Sequence, residues 1–112
     1  MHRRVLLIDL EAQGNATMGC GVDKAQLDAT IYDLLGLGRP VSEVVTQGSG
    51  GLAVVGANVD LTGAEVDLID LEAREYRLKQ ALAETVDQYD YVVIDCPPAL
   101  NLLTVNALTA AH

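Results

Sequence analysis

Phenylalanine and tryptophan are absent from this chain of 112 residues, and four tyrosines are its only aromatics. A core built without large rings must be aliphatic, and half of the sequence is hydrophobic. That fraction is too high for a solvated coil, which excludes intrinsic disorder. Long apolar runs are missing as well: Val5 to Ile8, Leu52 to Ala57 and Val92 to Ile94 fall far short of the ~20 residues a bilayer-spanning helix needs. Positive charge is scarce, with 7 Lys and Arg against 16 Asp and Glu and a formal net charge of −9. Phosphate backbones are bound by clustered cations, and only Arg3-Arg4 and the Arg74/Arg77/Lys79 group offer any. The second group is interleaved with Glu72 and Glu75, the pattern of a solvated helix face. These residues are therefore not expected to bind nucleic acid themselves.

Cysteine is confined to Cys20 and Cys96, too far apart for a metal-ligand spacing. Arg3-Arg4 precedes only four apolar residues, too few for a signal peptide. Reduced thiols and a cytoplasmic location follow as the expectation. Cys96 has no basic neighbour to activate it, Ser42 and Ser49 have no His partner, and His2 and His112 sit at the chain ends. The length allows one domain at most.

Aliphatic runs alternate with helical patterns. Val5-Leu6-Leu7-Ile8-Asp9 suits a parallel strand buried on both faces. The polar segment Glu11 to Thr17 reads as a loop. Thr30-x-x-Asp33 is a capping box that opens a short helix through Leu35, ended by Gly36, Gly38 and Pro40. Ser42 to Val45 offers one further helical turn, Gln47 to Gly51 a turn, and Leu52 to Val55 a second buried strand. A second capping box, Thr62-x-x-Glu65, precedes a helix over Leu71 to Val86, with Leu71, Leu78, Leu82 and Val86 on one face and a Glu75–Lys79 pair. Tyr91 to Asp95 is a third strand, stopped by Pro97-Pro98. Leu100 to Ala111 is a helix apolar nearly all round, hence buried. This order indicates an α/β fold with a parallel sheet flanked by helices.

Two of these strands end in an acid, Asp9 and Asp95. In open α/β sheets ligands sit outside the carboxyl ends of the strands. A carboxylate there holds Mg²⁺ directly or through water, and Val92-Val93-Ile94-Asp95 has the form of a Walker B element. An acid at a strand end also serves simply to cap the next helix, and strand and acid alone leave both readings open.

Three segments in order extend the pattern: Asp9-Leu-Glu-Ala-Gln-Gly-Asn-Ala-Thr17, Ala57-Asn-Val-Asp-Leu-Thr-Gly-Ala-Glu-Val66 and Ile94-Asp-Cys-Pro-Pro-Ala-Leu-Asn-Leu-Leu-Thr-Val-Asn-Ala-Leu108. Together they resemble the ParA/Soj chromosome- and plasmid-partitioning ATPases, which are P-loop NTPases with a deviant Walker A motif. Gln13 to Thr17 and Asp95 to Pro98 separate the chain from the related MinD and nitrogenase iron-protein branches. The resemblance implies a P-loop NTPase-like sheet and ATP and Mg²⁺ as ligands. It makes Asp9 and Glu11 the Walker A′ acids beside the phosphates, with Glu11 helping to position the attacking water. It assigns Asp95, with Asp9, to the Mg²⁺ site, and Gly14, Asn15 and Asp95 to cofactor binding. It also implies a homodimer closed around ATP, non-specific binding of nucleoid DNA through regions outside these residues, a ParB-like partner that stimulates hydrolysis, and no membrane contact.

The chain departs from that pattern in two places. The family's Asp-Pro-Gln-Gly-Asn stands here as Glu11-Ala12-Gln13-Gly14-Asn15: the acid is one methylene longer, and the φ restraint of Pro is lost. A shift of ~1 Å in such a group costs ~10²-fold in rate. The sequence also contains no Gly-x-x-x-x-Gly-Lys-[Ser/Thr]; its only lysines are Lys24 and Lys79. A start on a strand and a stop at His112 read as the edges of an internal piece of one nucleotide-binding domain. That piece is expected to be inactive alone, and poorly packed where Leu102, Leu103, Val105 and Leu108 have nothing to cover them. The alternative is a non-enzymatic, truncated or degenerate relative acting as an interaction protein. A phospho-acceptor receiver domain is excluded, because Leu52–Val55 leads into Gly56-Ala57 rather than an Asp and no Lys follows Lys79.

Overall fold

Four aliphatic residues ending in an acid make the central strand. The computed structural model describes residues 4–11, 13–23, 25, 27–58, 61, 76–83, 85–95, 105–106 and 110. Along them run β1 (Val5–Asp9), α1 (Asn15–Gly19), α2 (Ile31–Leu37), α3 (Val41–Val44), β2 (Val45–Gln47), a 3-10 turn (Ser49–Gly51), β3 (Ala53–Val55), α4 (Arg77–Ala83), a second 3-10 turn (Val86–Gln88) and β4 (Tyr91–Asp95). The strands form one sheet in the order β2-β3-β1-β4. β1 pairs in parallel with β3 and β4, as the α/β pattern requires.

β2 was not expected. It continues from α3 without a connecting turn, because Val45 takes extended dihedrals (φ −75°, ψ 143°) directly after the helix, and it pairs antiparallel with β3. The sheet is therefore mixed, with an antiparallel strand at one edge. Gln47 closes β2, and the expected turn follows over Gly48 to Gly51.

Register divides the sheet into two unequal faces. Leu6, Ile8, Ala53, Val55, Val92 and Ile94 share one of them, since side chains alternate along each strand. Leu6, Ile8, Ala53 and Val55 join Leu34, Leu35, Val41, Val44 and Leu78 from the helices in one hydrophobic cluster. The opposite face carries Val5, Leu7, Val54, Tyr91 and Val93, with Asp9 and Asp95 at its carboxyl end. Val54 is buried there, but Leu7 is only half-buried and Tyr91 and Val93 are exposed. Burial on both faces thus holds for β3 and fails for β1 and β4. The helices that pack closely, α2 and α4, cover the other side.

The Thr30 capping box forms as expected: Thr30 Oγ1 accepts from Tyr32 N at 3.1 Å, and Thr30 N donates to Asp33 Oδ2 at 2.7 Å. The helix runs two residues past Leu35 to Leu37, and Gly38 ends it at φ 72°. Of the expected helix 71–86, Arg77–Ala83 is described as helix, Leu78 is buried in the cluster and Leu82 packs against it. Leu71, Glu75, the Thr62 box, Cys96, Pro97-Pro98, His2 and His112 lie outside the described residues. Of the final segment, 105–106 and 110 are helical. Asn106 is fully buried and its Oδ1 accepts from Leu78 N at 3.1 Å. Ala110 packs on the cluster, and Val105 is half-buried rather than exposed; Leu102, Leu103 and Leu108 lie outside the described residues. No helix among the described residues is long and apolar enough to cross a membrane.

Candidate functional site

The carboxyl ends of β1 and β4 bring the two strand-end acids together. Asp9 and Asp95 are register partners on the less covered face, and Leu10 N extends the ladder by donating to Asp95 O at 2.7 Å. Beyond them the chain passes Glu11 and turns back through Gly14, whose φ of 68° lies in the left-handed region that glycine adopts without strain. Gly14 N closes the turn by donating to Glu11 O at 2.9 Å.

Glu11 to Thr17 is not all loop: α1 begins at Asn15. Five residues are too few to hold a helix by their own backbone bonds, so its anchor is tertiary. The anchor is Asp9. Its carboxylate is fully buried. Oδ1 accepts from Glu11 N at 3.0 Å, while Oδ2 accepts from Thr17 N at 2.9 Å and from Thr17 Oγ1 at 2.6 Å. The buried Thr17 hydroxyl gives its one proton to Asp9 and accepts in turn from Ala57 N at 3.0 Å. One carboxylate and one hydroxyl therefore clasp the end of β1, the start of α1 and the exit of β3. Gly56 lets these segments approach: a Cβ there would lie 2.8 Å from Leu27 Cδ1 and 3.1 Å from Thr17 Cγ2.

Glu11 is half-buried, and its Oε1 accepts from the exposed Asn15 Nδ2 at 2.9 Å. Asp95 is half-buried, and among the described residues no hydrogen bond is directed at its carboxylate. The ion pairs described, Arg4–Asp90 and Arg39–Glu43, lie elsewhere. Asp9, Glu11 and Asp95 thus form an acidic sheet end with no cation paired to it among the described residues.

These observations test the fit of a magnesium ion. Among the described residues no group of three or more His, Cys, Asp or Glu is placed to hold a metal. Magnesium does not need one, because it is commonly held by one or two carboxylates together with water and substrate phosphates. Asp95 suits that part, having a half-buried carboxylate at a strand end. Asp9 suits it poorly, because its oxygens already take three protein hydrogen bonds. Gly14 lies in the turn beyond Glu11, and Asn15 opens α1. Thr17 is the residue that sequence reasoning missed. It stands inside the motif, but nothing in a string of letters reveals a 2.6 Å contact across eight positions.

Residues 1–112 match the AAA domain family. The chain is 48% identical over 111 residues to the chromosome partitioning protein ParA of Myxococcus xanthus, covering 98% of this chain and 39% of that protein. It is 46% identical over 110 residues to the sporulation initiation inhibitor protein Soj of Bacillus subtilis, covering 97% and 44%. Among solved structures, the cobyrinic acid a,c-diamide synthase of Mycobacterium smegmatis, with a bound ATP analogue and magnesium, superposes with a TM-score of 0.93 at 44% identity. That match covers 98% of this chain and 45% of that one. The chain spans about two fifths of the length of these curated relatives.

Proposed function

Because the chain belongs to the AAA domain family, among the ParA/Soj-type partitioning ATPases, we propose that the carboxyl end of β1 and β4 is the hydrolytic edge of an ATP site in a DNA-segregation ATPase. The observation that carries this reading is the meeting of Asp9, Glu11 and Asp95 at one end of the sheet, with Glu11 and Asn15 joined across the Gly14 turn. Bound Mg²⁺ neutralises phosphate charge. Asp95 holds that ion directly or through water. Glu11 faces the attacking water and accepts its proton, while Asp9 keeps the loop closed. The 112 residues form part of one nucleotide-binding domain and turn over no ATP by themselves, having no phosphate-binding lysine loop in their sequence. The intact protein is proposed to dimerise around ATP, to coat nucleoid DNA in the cytoplasm through residues outside these, and to release it when a ParB-like partner stimulates hydrolysis.

Steady-state hydrolysis by the intact protein tests this. Glu11→Gln is expected to lower kcat by ~10²-fold or more with ATP affinity changed little, and the 112-residue chain to show no turnover. Full turnover in Glu11→Gln overturns the assignment. The 44% identity to a protein named a cobyrinic acid a,c-diamide synthase supports a second reading, ATP-driven amide formation on a corrinoid acid. Stimulation of hydrolysis by duplex DNA favours partitioning; stimulation by glutamine and a corrinoid acid favours the synthase.

A further inference from the structure

Glu11 has a mount. We propose that Asn15 and Thr17 are positioning residues for hydrolysis, Asn15 aiming the Glu11 carboxylate and Thr17 holding the backbone from which it projects; this deepens the reading of Glu11 given above. A half-buried Glu has three side-chain torsions to settle, and a catalytic carboxylate displaced by ~1 Å loses ~10²-fold in rate. Two restraints act here. The Asn15 amide fixes one carboxylate oxygen of Glu11 at 2.9 Å. Asp9 Oδ1 fixes the Glu11 backbone N at 3.0 Å.

Asp9 keeps that position because Thr17 occupies its other oxygen twice, through N and Oγ1. Thr17 in turn is tied to the β3 exit through Ala57 N. The chain of bonds therefore runs from Ala57 through Thr17 and Asp9 to the Glu11 backbone, and separately from Asn15 to the Glu11 side chain. With Ala12 following Glu11, no proline ring restrains the next φ, and these bonds supply the restraint instead. The Thr17 methyl has a different task, since it packs where Gly56 approaches.

The methyl and the hydroxyl are separable by substitution. In the intact protein, Thr17→Val keeps the shape and removes the hydroxyl, whereas Thr17→Ser keeps the hydroxyl and removes the methyl. Hydrogen exchange in the nucleotide-free protein is expected to show the Ala57 amide protected in wild type and Thr17→Ser and unprotected in Thr17→Val. For ATP hydrolysis, Thr17→Ser is expected to stay within a few-fold of wild-type kcat while Thr17→Val falls by ~10²-fold. Asn15 is exposed, so Asn15→Ala keeps its Tm, and its kcat at saturating ATP falls by ~10²-fold. Should Thr17→Val fail to fold, the Asn15→Ala and Thr17→Ser results decide.

If Glu11→Gln abolishes hydrolysis while Asn15→Ala keeps full kcat, the positioning proposal is overturned and the site assignment stands. An Ala57 amide still protected in Thr17→Val likewise overturns the clasp. If Glu11→Gln itself hydrolyses ATP normally, the function is what fails; the exchange measurement, made without nucleotide, still judges the clasp.

Discussion

Asp9 and Asp95 look alike in sequence, each closing an aliphatic strand, yet they differ in what surrounds them. Asp9 is buried under three hydrogen bonds, from Glu11 N, Thr17 N and Thr17 Oγ1. Asp95 is half-buried, with none directed at its carboxylate among the described residues. The letters supply two acids at two strand ends, and that much was legible. Which acid is used up inside the protein was not, because it depends on where Thr17 lands after the chain turns at Gly14. The consequence is measurable. Asp9→Asn places an NH₂ group opposite donors or leaves a buried donor unpaired, at a cost of about 1–3 kcal/mol. Urea denaturation of the intact protein should register that loss for Asp9→Asn and a change within ~0.5 kcal/mol for Asp95→Asn. Equal losses for the two variants contradict the division.

Elements whose signals are local were readable, and those held by distant partners were not. The Thr30–Asp33 box is entirely local, and both of its bonds form. Thr30 is buried and caps a helix that supplies Ile31, Leu34 and Leu35 to the core. Thr30→Ala should therefore lower stability by about 1 kcal/mol, read as a shifted denaturation midpoint at unchanged slope; an unchanged midpoint contradicts the cap. β1, β3 and β4 were legible from their aliphatic runs. α1 was not, since its five residues stand on the contact with Asp9. β2 was not either: Val45 and Thr46 suit a strand, but three residues directly after a helical turn are too short a run to read as one, and the pairing of Gln47 with Ala53 and Val45 with Val55 is a property of β3's free edge.

For the whole molecule, the alternation of aliphatic runs with helical patterns was enough to read an α/β sheet, and the α/β fold is what forms. Composition did not reveal that the two faces are unequal. Leu6 and Ile8 lie in the core while Tyr91 and Val93, on the other face, are 54% and 50% exposed. That lightly covered face carries Asp9 and Asp95 at its carboxyl end, where Asp9 is buried beneath Thr17 and the half-buried Asp95 is the more accessible of the two. A net charge of −9 favours cations there and disfavours bare polyphosphate. On the proposed function, ATP binding at this end is expected to depend on a divalent ion, with Asp95 as the residue proposed to hold it. The most direct measurement is ATP affinity of the intact protein with and without Mg²⁺, in wild type and in Asp95→Ala. Wild type should bind more tightly with Mg²⁺, and Asp95→Ala should lose most of that gain while its affinity without Mg²⁺ is unchanged. Equal gains from Mg²⁺ in the two proteins would remove Asp95 from the site and return it to a helix cap.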